Sequence, residues 1–184
     1  MPETMIDATD KYQYLIDLVG EPKGGVKIWL GNFGTPNTMK LSDFITMEKT
    51  EKRMGIVLNQ QQKADRERFR VSGAKWHIFI DEAFVVGMGE GYNMSPQGTI
   101  DIVLIHELSH THATAEAPGI EFDEFAPGLV TAQIRGILNY LVYKPSAATD
   151  LLGYIAERFD AEVEGWPIPP RFRKFLGKLN KELR

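Results

Sequence analysis

Two histidines four residues apart enclose a glutamate in the run His106-Glu107-Leu108-Ser109-His110. On an α-helix, residues four apart stand one above the other, so both imidazoles can offer a ring nitrogen to a single ion. Glu107 lies one step round from His106. From there it can reach water held by such an ion without being a ligand, the position in which a carboxylate acts as general base. Five residues thus specify ligand, base and ligand, and zinc is the ion this spacing suits. A catalytic zinc takes three protein ligands and keeps its fourth position for water, so a third group must come from elsewhere. Glu116, Glu121, Asp123 and Glu124 all lie downstream, and spacing alone does not choose among them. His112, two residues beyond His110, points to another face and reads as a surface or supporting histidine. The chain has no cysteine, which removes thiolate zinc sites, disulfides and cysteine nucleophiles together. Any metal must be held by histidine and carboxylate.

The elements that must position these groups follow from apolar periodicity and turn residues. Over residues 7–19, Tyr12, Leu15, Ile16 and Val19 recur at helical spacing and stop at Gly20. Residues 26–30 form a short strand candidate, 31–36 a Gly- and Pro-punctuated loop, and the polar stretch 40–69 a helical region. Aromatic and β-branched residues predict a strand over 76–80 and strand character again over 83–86. Gly87, Gly89 and Gly91 then imply a loop; with no Lys-Ser/Thr pair following, they do not make a phosphate loop. The continuous apolar run 100–113 predicts the helix that carries the motif, with Ser95-Pro96 or Thr99 as its cap. Pro127 opens a further helix that Pro145 ends, and helices over 147–159 and 171–183 complete the chain.

Composition sets the broad class. At 184 residues, 43% hydrophobic and 25% charged, the chain has the make-up of one globular domain spanning 1–184. A formal net charge of −4 argues against a nucleic-acid partner. The one basic cluster, 63–70, alternates Arg66, Arg68 and Arg70 with Asp65 and Glu67, the mark of a solvated helix face. No apolar run reaches the roughly 18 to 20 residues of a membrane helix, and the first ten residues lack the basic and apolar regions of a secretory signal. The expectation is a soluble protein with no membrane partner.

The motif and its surroundings resemble the aspzincin metallopeptidases, the group containing deuterolysin and the peptidyl-lysine endopeptidases. The likeness rests on 106–110 and on the downstream run Gly119-Ile120-Glu121-Phe122-Asp123-Glu124-Phe125-Ala126-Pro127-Gly128. Trp76-His77-Ile78-Phe79-Ile80 and Gly98-Thr99-Ile100 upstream look like the family's edge strand and the entry to its active-site helix. Asp150 with Tyr154-Ile155-Ala156-Glu157 looks like its Asn-Ala-Asp-x-Tyr-x-x-Phe segment. In the family pattern Gly-Thr-x-x-Asp-x-x-Tyr-Gly the aspartate is the third ligand. Counting four back from Gly128 reaches Glu124, with Asp123 as the alternative. A glutamate third ligand is also found in the HExxH effector metallopeptidases of bacteria, whose Thr-Glu-Asn-Gln-x-Arg segment is similar to Thr131-Ala132-Gln133-Ile134-Arg135.

The resemblance implies an α+β, zincin-like fold, with a small sheet beside the HExxH helix and a mainly helical C-terminal half. It implies a Zn²⁺-dependent metalloendopeptidase acting on protein or peptide substrates through a zinc-activated water, with His106, His110 and Glu124 as ligands and Glu107 as general base. Two departures matter. The family's oxyanion-binding tyrosine is Pro127 here, which has no donor to give, so Tyr140 and Arg135, with Tyr143 and Tyr154, become the candidates for that role. The spacer between His110 and Glu124 is also longer than the family's. Asp150 matches the acid that binds a basic side chain in lysine-specific members, and equally fits a cap for the helix that follows it. The alternative to an enzyme is a non-catalytic, zinc-stabilised binding module of the same fold. The family's secreted members carry leaders and disulfides; a cysteine-free chain without a signal is expected inside the cell or exported by a specialised bacterial route.

Overall fold

Alternating apolar residues make the two central strands, β2 (Val26–Leu30) and β4 (Trp76–Ile80), which pair in parallel with Ile28 opposite Ile78. The computed structural model describes residues 5–113, 124 and 126–162. Around the central pair, β1 (Ile6–Asp7) lies antiparallel on β2, and β3 (Asn37–Lys40) antiparallel on β4, giving the order β1-β2-β4-β3. Among the described residues no strand covers the outer edge of β3.

Because strand side chains alternate, the sheet has two apolar faces and is covered on both. Val26, Ile28, Ile78 and Ile80 pack under α1 (Gln13–Val19), α5 (Pro96–His110) and α6 (Pro127–Tyr143), in a core that also takes Tyr12, Leu15, Leu104 and Leu108. Each such aliphatic side chain removed from water contributes about 1.5–3 kcal/mol. Trp29 faces the other way, against Phe44 of α2 (Leu41–Arg53) and Phe69 of α3 (Gln60–Val71), with Met39 and Phe79 beside them. His77 joins this second core: its Nδ1 accepts from Trp29 Nε1 at 3.0 Å, so its Nε2–H donates to the Ala74 carbonyl at 3.1 Å. Burial holds the His77 imidazolium pKa below its ordinary value.

Several elements differ from the sequence reading, each for a local reason. The first helix begins at Gln13, not at residue 7, because Asp7 accepts from the Thr9 N–H at 3.0 Å and hydroxyl at 2.6 Å, turning the chain there. The 40–69 stretch is two helices rather than one, parted at Gly55 (φ 73°), and the second is opened by a capping box between Asn59 and Gln62. Residues 83–86 are not a strand. They lie in α4 (Glu82–Gly89), whose start is fixed by the Asp81 carboxylate accepting the Phe84 N–H at 3.1 Å. The glycines expected in a loop partly belong to that helix, and Gly89 is there for space: a Cβ on it would lie 2.4 Å from Thr99 Oγ1. The predicted helix over 171–183 lies outside the described residues. The coarse expectation of an α+β architecture matches, with helices α5, α6 and α7 (Ala148–Glu162) making up the later half. No helix among the described residues is long and apolar enough to cross a membrane.

Candidate metal centre

The helix that carries the motif is apolar all round because it is enclosed all round: every residue from Gly98 to His110 is buried. Its N-terminus is assembled with care. Pro96 takes the first position, and the Ser95 hydroxyl accepts from the Gly98 N–H at 3.1 Å. Asp150, from α7, accepts the Ser95 N–H on Oδ1 at 2.5 Å and the Ser95 hydroxyl on Oδ2 at 2.8 Å. Asp150 therefore anchors the start of α5. It is 6% exposed and does not line the metal centre.

One turn apart at the other end of α5, the rings of His106 and His110 stand at 86° with their Nε2 atoms 3.2 Å apart. Glu124, just ahead of Pro127 at the start of α6, brings Oε2 to 2.7 Å from His106 Nε2 and Oε1 to 3.6 Å from His110 Nε2. The ligand atoms of these three residues all lie within 4.8 Å of one another, a group that could hold a metal ion. Tetrahedral zinc with bonds of about 2.0–2.1 Å separates its ligand atoms by about 3.3 Å. The 3.2 Å between the two imidazole nitrogens is close to that edge, and two neutral nitrogens with one carboxylate form a donor set zinc takes in catalytic sites. The residues fit the ion. Glu116, Glu121 and Asp123, the other candidates for third ligand, lie outside the described residues.

Glu107 is held beside this group by a residue the sequence reading passed over. The Thr38 hydroxyl on β3 lies 2.6 Å from Glu107 Oε2 and 3.1 Å from the Glu107 carbonyl oxygen, tying the carboxylate and the helix backbone to the sheet edge. Thr38 sits opposite Ile78 and so shares the face of the sheet that α5 covers. Nothing in a four-residue polar strand advertises this.

Two small hollows meet at the centre. One, of about 130 Å³, has His106, Glu107 and Glu124 on its wall together with Met88, Val103 and Tyr154. The other, of about 180 Å³, touches Glu107, His110 and Glu124 and runs to Asn37 and Thr38 on β3. Among the described residues Tyr154 is the tyrosine on the wall of the first hollow; it is 3% exposed, and its hydroxyl accepts from Gln133 Nε2 at 3.5 Å.

The other candidate oxyanion donors are placed elsewhere. The Tyr140 hydroxyl donates to Asp101 Oδ2 at 2.7 Å, deep in the core, and Tyr14 donates to Oδ1 of the same carboxylate. Burial, then the Asp101 carboxylate, pushes both phenol pKa values well above the ordinary range. Tyr143 is 60% exposed and stacks on Tyr14. Arg135 Nε donates to the Val19 carbonyl at 2.7 Å, and His112 Nε2 donates to the Gly20 carbonyl at 2.7 Å. Together they satisfy the end of α1, where a helix leaves carbonyls without intrahelical partners. Burial, backed by the charge of Arg135, holds the His112 pKa below its usual value.

No protein-family model, curated protein or solved structure matches this chain.

Proposed function

We propose that this chain is a zinc-dependent metalloendopeptidase of zincin-like fold, related in its site to the aspzincins. One observation carries the reading: the ligand atoms of His106, His110 and Glu124 converge within 4.8 Å, while Glu107 stands next to them on the same helix. His106, His110 and Glu124 would hold the ion. When bound, zinc supplies Lewis acidity, acidifying a water it holds and polarising the peptide carbonyl. Glu107 then does the proton work: a carboxylate oxygen takes a proton from the attacking water and delivers it to the leaving amine nitrogen. Thr38 keeps that carboxylate aimed. The Tyr154 phenol, on the wall of the smaller hollow beside His106, Glu107 and Glu124 and accepting from Gln133 Nε2 at 3.5 Å, is the tyrosine placed to donate to the carbonyl oxygen as it gains charge.

A zinc-stabilised binding module without turnover is the second reading. It is favoured by Pro127, which brings no hydroxyl where the family pattern has tyrosine. Metal analysis tests the reading common to both. The wild-type chain is expected to retain one zinc per molecule after dialysis, and His106→Ala to lose it. Equal zinc in the two would remove the centre from the account.

A further inference from the structure

Away from the metal centre, a groove of about 550 Å³ is lined by α2, α3 and the turn between them. Its apolar lining is Ile45, Ile56, Val57 and Leu58. In the turn, Ile56 and Val57 are 48% and 88% exposed, and Met54 beside them is 71% exposed. Single apolar side chains at a surface are ordinary, whereas a run of them beside a concavity marks a place where something binds. The polar lining falls into two groups. Arg66 and Arg70, from the cluster whose mixed signs read as a solvated face, turn to α2: Arg66 Nη2 donates to Glu51 Oε1 at 3.1 Å, and Arg70 pairs with Glu48. These four charges satisfy one another. Lys49, Lys52 and Lys63 complete the lining; all three are exposed, and among the described residues no carboxylate pairs with them. Five cations thus meet two carboxylates in this groove, on a chain whose net charge is −4.

We infer that this groove docks a segment of a partner protein that is apolar on one side and acidic on the other. Leucine-sized side chains of the segment meet Ile45, Ile56, Val57 and Leu58, and its aspartates and glutamates meet Lys49, Lys52 and Lys63, the way an amphipathic helix is taken by a groove. Burial of the apolar side supplies affinity, and the unbalanced positive charge selects against basic segments. The shape favours a peptide segment over a lipid surface: a concavity of this volume takes several side chains, and a flat headgroup layer does not enter it. None of these residues lines the metal centre, so the docking surface stands or falls without it.

Fluorescence anisotropy of the full chain with three short labelled peptides tests the docking. The first carries leucine at helical spacing with glutamate elsewhere; the second has lysine for glutamate, and the third serine for leucine. The leucine–glutamate peptide is expected to bind at least about ten-fold tighter than either counterpart, and to weaken as salt rises from about 0.1 to 1 M and the screening length shrinks from about 10 to 3 Å. Val57→Asp and Lys52→Glu, both at exposed positions, are each expected to weaken it about ten-fold while the melting temperature and zinc content stay unchanged. Equal binding of the three peptides, no binding of any, or indifference to both substitutions overturns the docking surface and leaves the metal centre standing. Binding to phosphatidylserine vesicles in place of the acidic peptide, lost in the same two variants, overturns it in favour of a membrane.

Discussion

Glu107 and Thr38 together set what the centre can do. Glu107→Gln keeps the shape and the hydrogen bond but cannot take a proton, so zinc should stay bound while peptide hydrolysis falls by about 10²–10⁴-fold. Metal analysis and a turnover assay on the same sample check this. Thr38→Val removes the hydroxyl 2.6 Å from Glu107 Oε2 and should lower turnover by about 10–100-fold, with Thr38→Ser restoring most of it. At this scale the sequence was informative about His106, Glu107 and His110, because one helical turn is a local rule and needs no tertiary information. Thr38 was unreadable because its partner is 69 residues away across the sheet edge. Glu124 was reached only through the resemblance, since its meeting with His106 and His110 is a tertiary contact that no local rule encodes.

The elements were readable where a period was unbroken and ambiguous where capping decided. β2, β4, α5 and the Pro127 opening of α6 follow from pattern. β3 is only Asn37–Lys40, too short and polar to signal a strand, and α4 carries β-branched residues that an Asp81 cap turns into helix. The contact between α5 and α7 makes a sharp prediction. A Cβ on Gly98 would lie 2.0 Å from Asp150 Oδ2, so Gly98→Ala should destabilise the fold by about 1–3 kcal/mol although alanine is the better helix former. Denaturant melts check the sign. Asp150→Ala should also cost about 1–3 kcal/mol, by removing the buried carboxylate that accepts both Ser95 donors at the start of α5.

At the scale of the molecule, two cores share one sheet, and the second holds a titratable group. His77 is neutral in the fold, with a pKa held below 6.5 by burial. As pH falls past 6.5 the unfolded chain takes up that proton before the folded chain does, so His77 makes stability fall on the acid side and contributes no slope above neutrality. The denaturation midpoint should therefore drop more steeply between pH 7 and 5 in the wild type than in His77→Gln. Tyr14 and Tyr140 work in the opposite direction. Their raised pKa values keep both protonated in the fold, so their contribution is complete below the ordinary tyrosine value of 10.0 and is lost as pH rises above it. On the proposed reading zinc is held by the folded centre and not by the unfolded chain, so adding it should raise the melting temperature in a concentration-dependent way that a chelator reverses.

Casein hydrolysis by the zinc-loaded chain, followed with chelator and then with zinc restored, bears most directly on the central claim. Cleavage that stops with chelator, returns with zinc and is missing in zinc-retaining Glu107→Gln is the predicted result; no cleavage by a chain with zinc on His106, His110 and Glu124, or cleavage indifferent to the chelator, would contradict it.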